Sequence, residues 1–197
     1  MSAFDASVSD VSGFLTGRLL VAMPGIGDPR FEHAVLLVCI HTAEHAMGVR
    51  VNLPIAGMTV ATVLDKLGVG GPARDPHQLV LLGGPVEKER GYVVHSDDYS
   101  AAGSTMPVAE GLCLTATRDV LESLTEGHSA PSSSVLAMGY AGWGAGQLET
   151  ELRENVWLAC PTDLDLVFDE SYDSKWERAL ARMGVSAAAL STQAGRA

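Results

Sequence analysis

The stretch from Leu136 to Glu149, LAMGYAGWGAGQLE, constrains this chain more than any other. Glycine stands at positions 139, 142, 144 and 146, and one Tyr and one Trp sit among residues with almost no side chain. Glycine loses more backbone freedom on folding than any other residue, so such a run is too costly to be filler. The segment reads as a strand, a tight turn and the start of a helix, with the turn held open for something to come close.

Short apolar runs flank it. Arg18 to Met23 predicts a first strand stopped by Pro24, and His33 to Ile40 a second, apolar enough to be buried on both faces. Ala46 to Asn52 predicts a third, ended by Pro54. Only five residues separate the second run from the third, which predicts a hairpin and antiparallel pairing. Val60, Val63, Leu64 and Leu67 keep helical spacing, with Gly68 as the stop. Gln78 to Leu82 and Gly91 to His95 predict strands on either side of Gly83-Gly84-Pro85, and Leu112 to Thr115 predicts another. Thr117 is placed to cap a helix carrying Val120, Leu121 and Leu124 and ended by Gly127. Val135 to Ala141 predicts a strand, and Gln147 to Asn155 a helix with Leu148 and Leu152 inward. Asp163 to Phe168 reads as a last strand, and Trp176 to Met183 as a final helix before Gly184. Short strands with few long crossovers favour an α+β fold with a largely antiparallel sheet. The chain reads as a single domain, 1–197, with residues 1–13 and 186–197 loosely held.

Charge excludes some roles. The 13 Lys and Arg stand against 24 Asp and Glu, a net charge of −11, which argues against direct contact with nucleic acid. The N-terminus lacks the basic and apolar regions of a secretory signal. The longest apolar run, Ala34 to Ile40, is far shorter than the roughly 20 residues that span a bilayer, so no membrane partner is expected. Cys39, Cys113 and Cys160 are odd in number, widely spaced and set in apolar runs, as expected of reduced thiols in the cytoplasm.

Several motifs come near to known chemistry. His41-Thr-Ala-Glu-His45 matches the inverted zinc-protease pattern, which needs a helix, but it falls in the connection of a hairpin, so no metal site is read from it. Gly25-Ile-Gly27 and Gly142-Trp-Gly144 begin like dinucleotide fingerprints. The third glycine position is Arg30 in one and Gln147 in the other, so neither implies a nucleotide cofactor. Cys39 and His41 are two apart, hence on one face of a regular strand. A thiol beside an imidazole is either an activated nucleophile or a buried hydrophobe next to a polar strand end. Gly83-Gly84 can form an anion-binding nest with Arg90 nearby, or simply a tight reversal. His95 reads as a hydrogen-bonded boundary residue, and Asn52 as a turn former before Leu53-Pro54. Trp143, set between glycines, reads equally as a pocket wall and as core.

Together these residues resemble the YqgE/AlgH family of bacterial proteins from about Gly13 to the end of the chain. The resemblance rests on Gly17-Arg-Leu-Leu-Val-Ala-Met-Pro24, Asp28, Phe31, Val38-Cys39-Ile-His41, Ala46-Met-Gly48 and Asn52-Leu-Pro54. It continues through Gly83-Gly-Pro-Val86, Arg90-Gly91, His95, Leu114-Thr115, Gly139-Tyr-Ala-Gly-Trp143, Gly146-Gln-Leu-Glu149, Asn155, Trp157 and Trp176 to Gly184. Where the family usually has Gly-Ala-Met-Gly this chain has His45-Ala-Met-Gly48, so His45 is no family feature. The resemblance implies an α+β fold whose sheet bends into a partial barrel flanked by helices. It does not imply an enzyme: the family is largely uncharacterised, and some members are labelled transcriptional regulators.

The leading expectation is a cytoplasmic, non-enzymatic binding or regulatory protein acting through a small molecule or a protein partner. Its candidate surface comprises Cys39, His41, Asn52, Gly83, Gly84, Arg90, His95, Trp143, Gln147 and Glu149. A thiol enzyme or redox sensor with Cys39 as nucleophile and His41 as base is the first alternative. A DNA-binding regulator is the second.

Overall fold

The computed structural model describes residues 13–127, 129–188 and 190. Most of the two tails expected to be loosely held lies outside the described residues; Val185, Ala187 and Leu190 pack against the core.

Among the described residues, ten strands and five α-helices follow one another along the chain. β1 (Leu19–Ala22), β2 (Val35–His41), β3 (His45–Arg50) and β4 (Pro54–Thr59) precede α1 (Val60–Lys66). Then come β5 (Leu79–Leu82), β6 (Val86–His95), β7 (Thr105–Ala109), β8 (Leu112–Thr115) and α2 (Arg118–Ser123). β9 (Ser134–Gly144), α3 (Gln147–Arg153), β10 (Trp157–Cys160), α4 (Leu164–Phe168) and α5 (Lys175–Arg182) complete it. The sheet runs β10-β1-β2-β3-β9-β6-β8-β7 and bends into a half-barrel flanked by helices. Every pairing is antiparallel except β5 with β9. The expected α+β class and the β2–β3 hairpin are both observed.

The central strands are buried on both faces, as their unbroken apolar runs require. Leu19, Val21, Val35 and Leu37 face one core closed by Leu166, Trp176 and Leu180 of α4 and α5. Leu20, Leu36 and Val38 face a second, closed by Trp143, Leu148 and Trp157. A third core lies under α1 and α2, where Val60, Leu64 and Val120 meet Val80, Val93 and Leu136. Lys175 is fully buried and donates from Nζ to the carbonyls of Val51 and Val167, which ties α5 to the end of β3 and to α4.

Four expectations are corrected. Asp163–Phe168 is not a strand. The Asp163 carboxylate accepts from the Leu166 N–H and starts α4, a capping signal that outweighs the β-prone Leu-Val-Phe. Thr117 occupies the N-cap of α2 without capping it; its buried hydroxyl has no hydrogen-bond partner among the described residues. Pro54 begins β4 rather than only ending β3; β4 meets β5 at the sheet's margin, where a missing N–H is tolerated. The glycine run does not turn at Trp143: β9 continues to Gly144, and the turn is Gly144-Ala145-Gly146.

What comes close to the glycine run is the chain itself. Ala137 of β9 pairs with Leu81 of β5 on one edge and with Tyr92 of β6 on the other. The chain must therefore pass from one edge of β9 to the other between Leu82 and Val86, and it does so over the backbone at Gly139 and Tyr140. A Cβ on Gly83 or Gly84 would collide with that backbone. Gly139, at φ +73°, would carry a Cβ 2.7 Å from the carbonyl oxygens of both Gly84 and Val86.

Candidate functional site

The pairing of β2 with β3 slips at Cys39: Val38 faces Gly48, and Ile40 faces Met47. Cys39 is the extra residue of a β-bulge, and everything after it changes face. Cys39 stays in the core with Leu37 and Val49, whereas His41 pairs with Ala46 and turns to the opposite face, beside α3. The two therefore do not share a face, as a regular strand would require. Burial pushes the Cys39 thiol up to about 12 and raises Cys113 and Cys160 as well; all three side chains are buried.

The polar candidates are largely consumed by internal bonds. His41 accepts at Nδ1 from the Leu15 N–H (3.0 Å), so Nε2 carries the hydrogen and donates to Glu149 (3.1 Å). Its backbone N–H donates to Thr16 Oγ1, and Phe14 packs edge-on against the ring. His41 and Glu149 thus tie the start of the described chain and α3 to the end of β2. Asn52 Oδ1 accepts from the Val35 N–H and from Arg50 Nε, and its amide donates to the His33 carbonyl. His95 is fully buried: Nδ1 donates to the Ser96 carbonyl, and Nε2 accepts from Thr115, whose oxygen accepts from Thr105. Burial lowers the His95 pKa. Among the described residues no group of three His, Cys, Asp or Glu is placed to hold a metal ion.

Trp143 and Gln147 do come together, around a residue not singled out in the sequence. Glu151 Oε2 accepts from the indole N–H of Trp143 (2.8 Å) and of Trp157 (2.7 Å), while its Oε1 accepts from Gln147 (2.9 Å). The two indoles meet edge to face at 6.0 Å. They wall a concavity of about 520 Å³ whose far side is Arg30, Phe31, Pro85 and Val86. A position eight after Trp143, on the inner side of a helix containing Leu148, was the available signal for Glu151.

Four concavities adjoin the ridge from Gly84 to Arg90 that follows the crossing and is exposed from Val86 onward. The Trp143 concavity meets it at Pro85 and Val86. A second, of about 330 Å³, meets it at Gly84, Pro85 and Lys88. A third, of about 700 Å³, is floored by Met58, Val63, Leu136 and Met138 and meets it at Lys88 to Arg90. A fourth, of about 560 Å³, lies between Ile40, Tyr140 and Arg90. β6 leaves its register with β9 between Val86 and Gly91, so Glu87 to Arg90 stand out from the sheet. Arg90 lies over the Tyr92 ring and beside Glu87 (3.5 Å), which accepts from the Tyr92 hydroxyl. Of the ten candidates, Gly84, Arg90, Trp143 and Gln147 line these concavities; Cys39, His41, Asn52, His95 and Glu149 do not, and Gly83 supports the crossing.

The comparisons agree with this architecture. The sequence pattern of the AlgH-like family matches residues 19–188. A UPF0301 protein of Caulobacter vibrioides is 56% identical over 188 residues, covering 95% of this chain and 96% of the relative. A UPF0301 protein of Methylobacterium nodulans is 46% identical, covering 94% of this chain and 91% of that one. The solution structure of the AlgH protein from Pseudomonas aeruginosa superposes with a TM-score of 0.77 at 37% identity, over 97% of this chain and all of that one. A crystal structure from Corynebacterium diphtheriae, at 20% identity and a TM-score of 0.68 over 85% of this chain and 86% of that one, shares the fold. By family pattern and by identity along nearly its whole length, the chain belongs to the AlgH-like family.

Proposed function

We propose that the protein acts by binding, as a regulatory protein that engages a small molecule or a protein partner along the ridge from Gly84 to Arg90 and carries out no covalent chemistry of its own. The observation that carries this reading is the distribution of polar groups. His41, Asn52, His95 and Glu149 are spent on internal bonds, while the charged run Glu87 to Arg90 stands exposed between four concavities. Exposed groups beside pockets are what recognition uses; satisfied buried groups are what folding uses. A thiol mechanism finds little support in three buried cysteines and in a Cys39 separated from His41 by a strand bulge. Direct reading of DNA finds little support in a chain of charge −11. The reading includes a reducing, cytoplasmic setting, which suits three unpaired thiols; among the described residues no helix is long and apolar enough to cross a membrane.

The test is capture of partners and metabolites by the wild-type protein and by the charge-reversed pair Lys88→Glu and Arg90→Glu. Both side chains are exposed, so the variant keeps its fold. Ligands that bind the wild type and are lost by the variant support the ridge. Identical capture by both rejects it.

A further inference from the structure

Arg50 is the least expected residue of the core. It is a lone cation in an apolar strand, Gly48-Val-Arg-Val-Asn52, and is only 7% exposed. A buried guanidinium is ordinarily paired with a carboxylate, because an unpaired charge out of water is costly. Among the described residues no carboxylate comes within ion-pair distance of Arg50. Its partners are three neutral oxygens: Nε–H donates to Asn52 Oδ1 (3.0 Å), Nη1 to the Arg30 carbonyl (2.9 Å) and Nη2 to the Glu32 carbonyl (3.0 Å). A guanidinium carries five N–H donors, so two remain unspent. Burial alone pushes its pKa down to about 10, still far above neutrality, so the charge stays.

Arg50 lines the 330 Å³ cavity, and Lys88 stands exposed at its rim with no ion pair among the described residues. Arg30 also lines it but is neutralised by Asp28; Glu32 lines it as well, with its carbonyl taken by Arg50 and its side chain exposed. The crossing segment closes one side with Gly84 and Pro85. Two uncompensated cations, one buried and one at the mouth, therefore face one small cavity in a strongly acidic protein.

We propose that this cavity binds the phosphate group of a small phosphorylated metabolite, with Arg50 at its base and Lys88 at its mouth. A phosphate monoester matches the site in charge, since a dianion balances both cations. It also matches in geometry, since adjacent phosphate oxygens accept from the fork of one guanidinium. The volume, about 330 Å³, lies at the small end of the ligand-site range of roughly 300–1,000 Å³, which suits a small phosphorylated molecule. The ligand supplies the counter-ion that the fold withholds from Arg50.

This deepens the binding reading above, and the experiment separates the two. The full chain is titrated at constant ionic strength with inorganic phosphate and with glycerol phosphate, read by calorimetry and by 31P line broadening; malonate serves as the carboxylate probe. Saturable binding of both phosphates is expected, weakened roughly tenfold in Lys88→Ala, whose melting is unchanged. Arg50→Lys, which keeps the charge and loses the fork, is expected to weaken it at least as much. Lys88→Ala decides the matter even if the Arg50 variant does not fold. Absence of saturation, preference for malonate, or equal affinity in Lys88→Ala and wild type overturns the proposal. A silent titration with ridge-dependent capture intact removes the phosphate alone; loss of both removes the parent reading as well.

Discussion

The carbonyl oxygen of Gly84 lies where a side chain on Gly139 would begin: a Cβ there would stand 2.7 Å from it, and as near to the carbonyl of Val86. These two glycines belong to separate glycine-rich stretches, about fifty residues apart in sequence. Gly139 is small because of the Gly84 and Val86 carbonyls, and Gly84 because of the backbone of Tyr140 and Ala141 beside it. The first crosses over the second to carry the chain from β5 to β6, and the crossing sets the ridge beside its concavities.

Gly139→Ala tests that relationship. The substitution places a methyl against two carbonyl oxygens at a positive φ, so overpacking and backbone strain add. A loss of about 2–4 kcal/mol is expected in urea denaturation. Gly27→Ala, with open space around it and no positive φ, is the control and stays within about 0.5 kcal/mol of wild type. A Gly139→Ala protein as stable as the control would mean that the crossing does not need its glycines.

The same residues show how far the sequence can be read. The cost of Gly139 and its neighbours announced a close approach, and the family pattern pointed to a bent sheet. Neither disclosed that the approaching element was Gly83-Gly84, because a contact between distant segments leaves no local periodicity. β2 and β3 were legible from continuous apolar runs. β10, Trp157–Cys160, is too short to show a pattern of its own, and it forms because β1 offers it an edge. The bulge at Cys39 was invisible for the same reason: it exists only in the register with β3. At the site, Trp143 and Gln147 were legible and their shared acceptor Glu151 was not. Arg90 was legible as the cation beside the glycines, whereas the buried cation at the 330 Å³ cavity beside Gly84 is Arg50. A lone Arg between valines in a buried strand was the signal.

Cys39 gives a kinetic prediction. Its thiol is buried, held up to about 12, and donates to the Leu37 carbonyl. Alkylation requires the thiolate and access to it. In the native protein at mildly alkaline pH, Cys39 modification by iodoacetamide is expected to track opening of β2, accelerating with urea in step with unfolding. Rapid modification without denaturant, with a pH midpoint near neutrality, would restore the thiol mechanism.

Glu151 gives a stability prediction with an optical signature. Removing its carboxylate leaves two indole N–H groups without their acceptor, on side chains 5% and 3% exposed. Hydrogen bonds to a charged acceptor contribute about 1.5–3 kcal/mol, so Glu151→Ala is expected to lose about 2–3 kcal/mol. Water entering to satisfy the indoles shifts their emission to the red. Glu151→Gln keeps one acceptor oxygen and should fall between. An Ala variant with wild-type stability and emission would show that the indoles need no acceptor.

Acid sensitivity separates into two windows. His95 is fully buried as the neutral ring, and burial lowers its pKa in the folded protein, so the unfolded chain takes up the proton first. Stability attached to His95 is therefore complete above the unfolded value of about 6.5 and declines as pH falls toward the folded one. A proton on Nε2 would also face the Thr115 oxygen, turning an acceptor into a second donor and breaking the chain from Thr105. Asp98 behaves at lower pH. The hydroxyls of Ser132 and Ser96 hold its carboxyl down to about 2, so its contribution persists until the pH drops below about 4 and is lost on the way to 2. Urea midpoints measured from pH 7.5 down to about 3 should fall in two steps. His95→Gln removes the upper step and leaves the lower; Asp98→Asn does the reverse. A single step near pH 4 in the wild type would place no pH-dependent stability at His95.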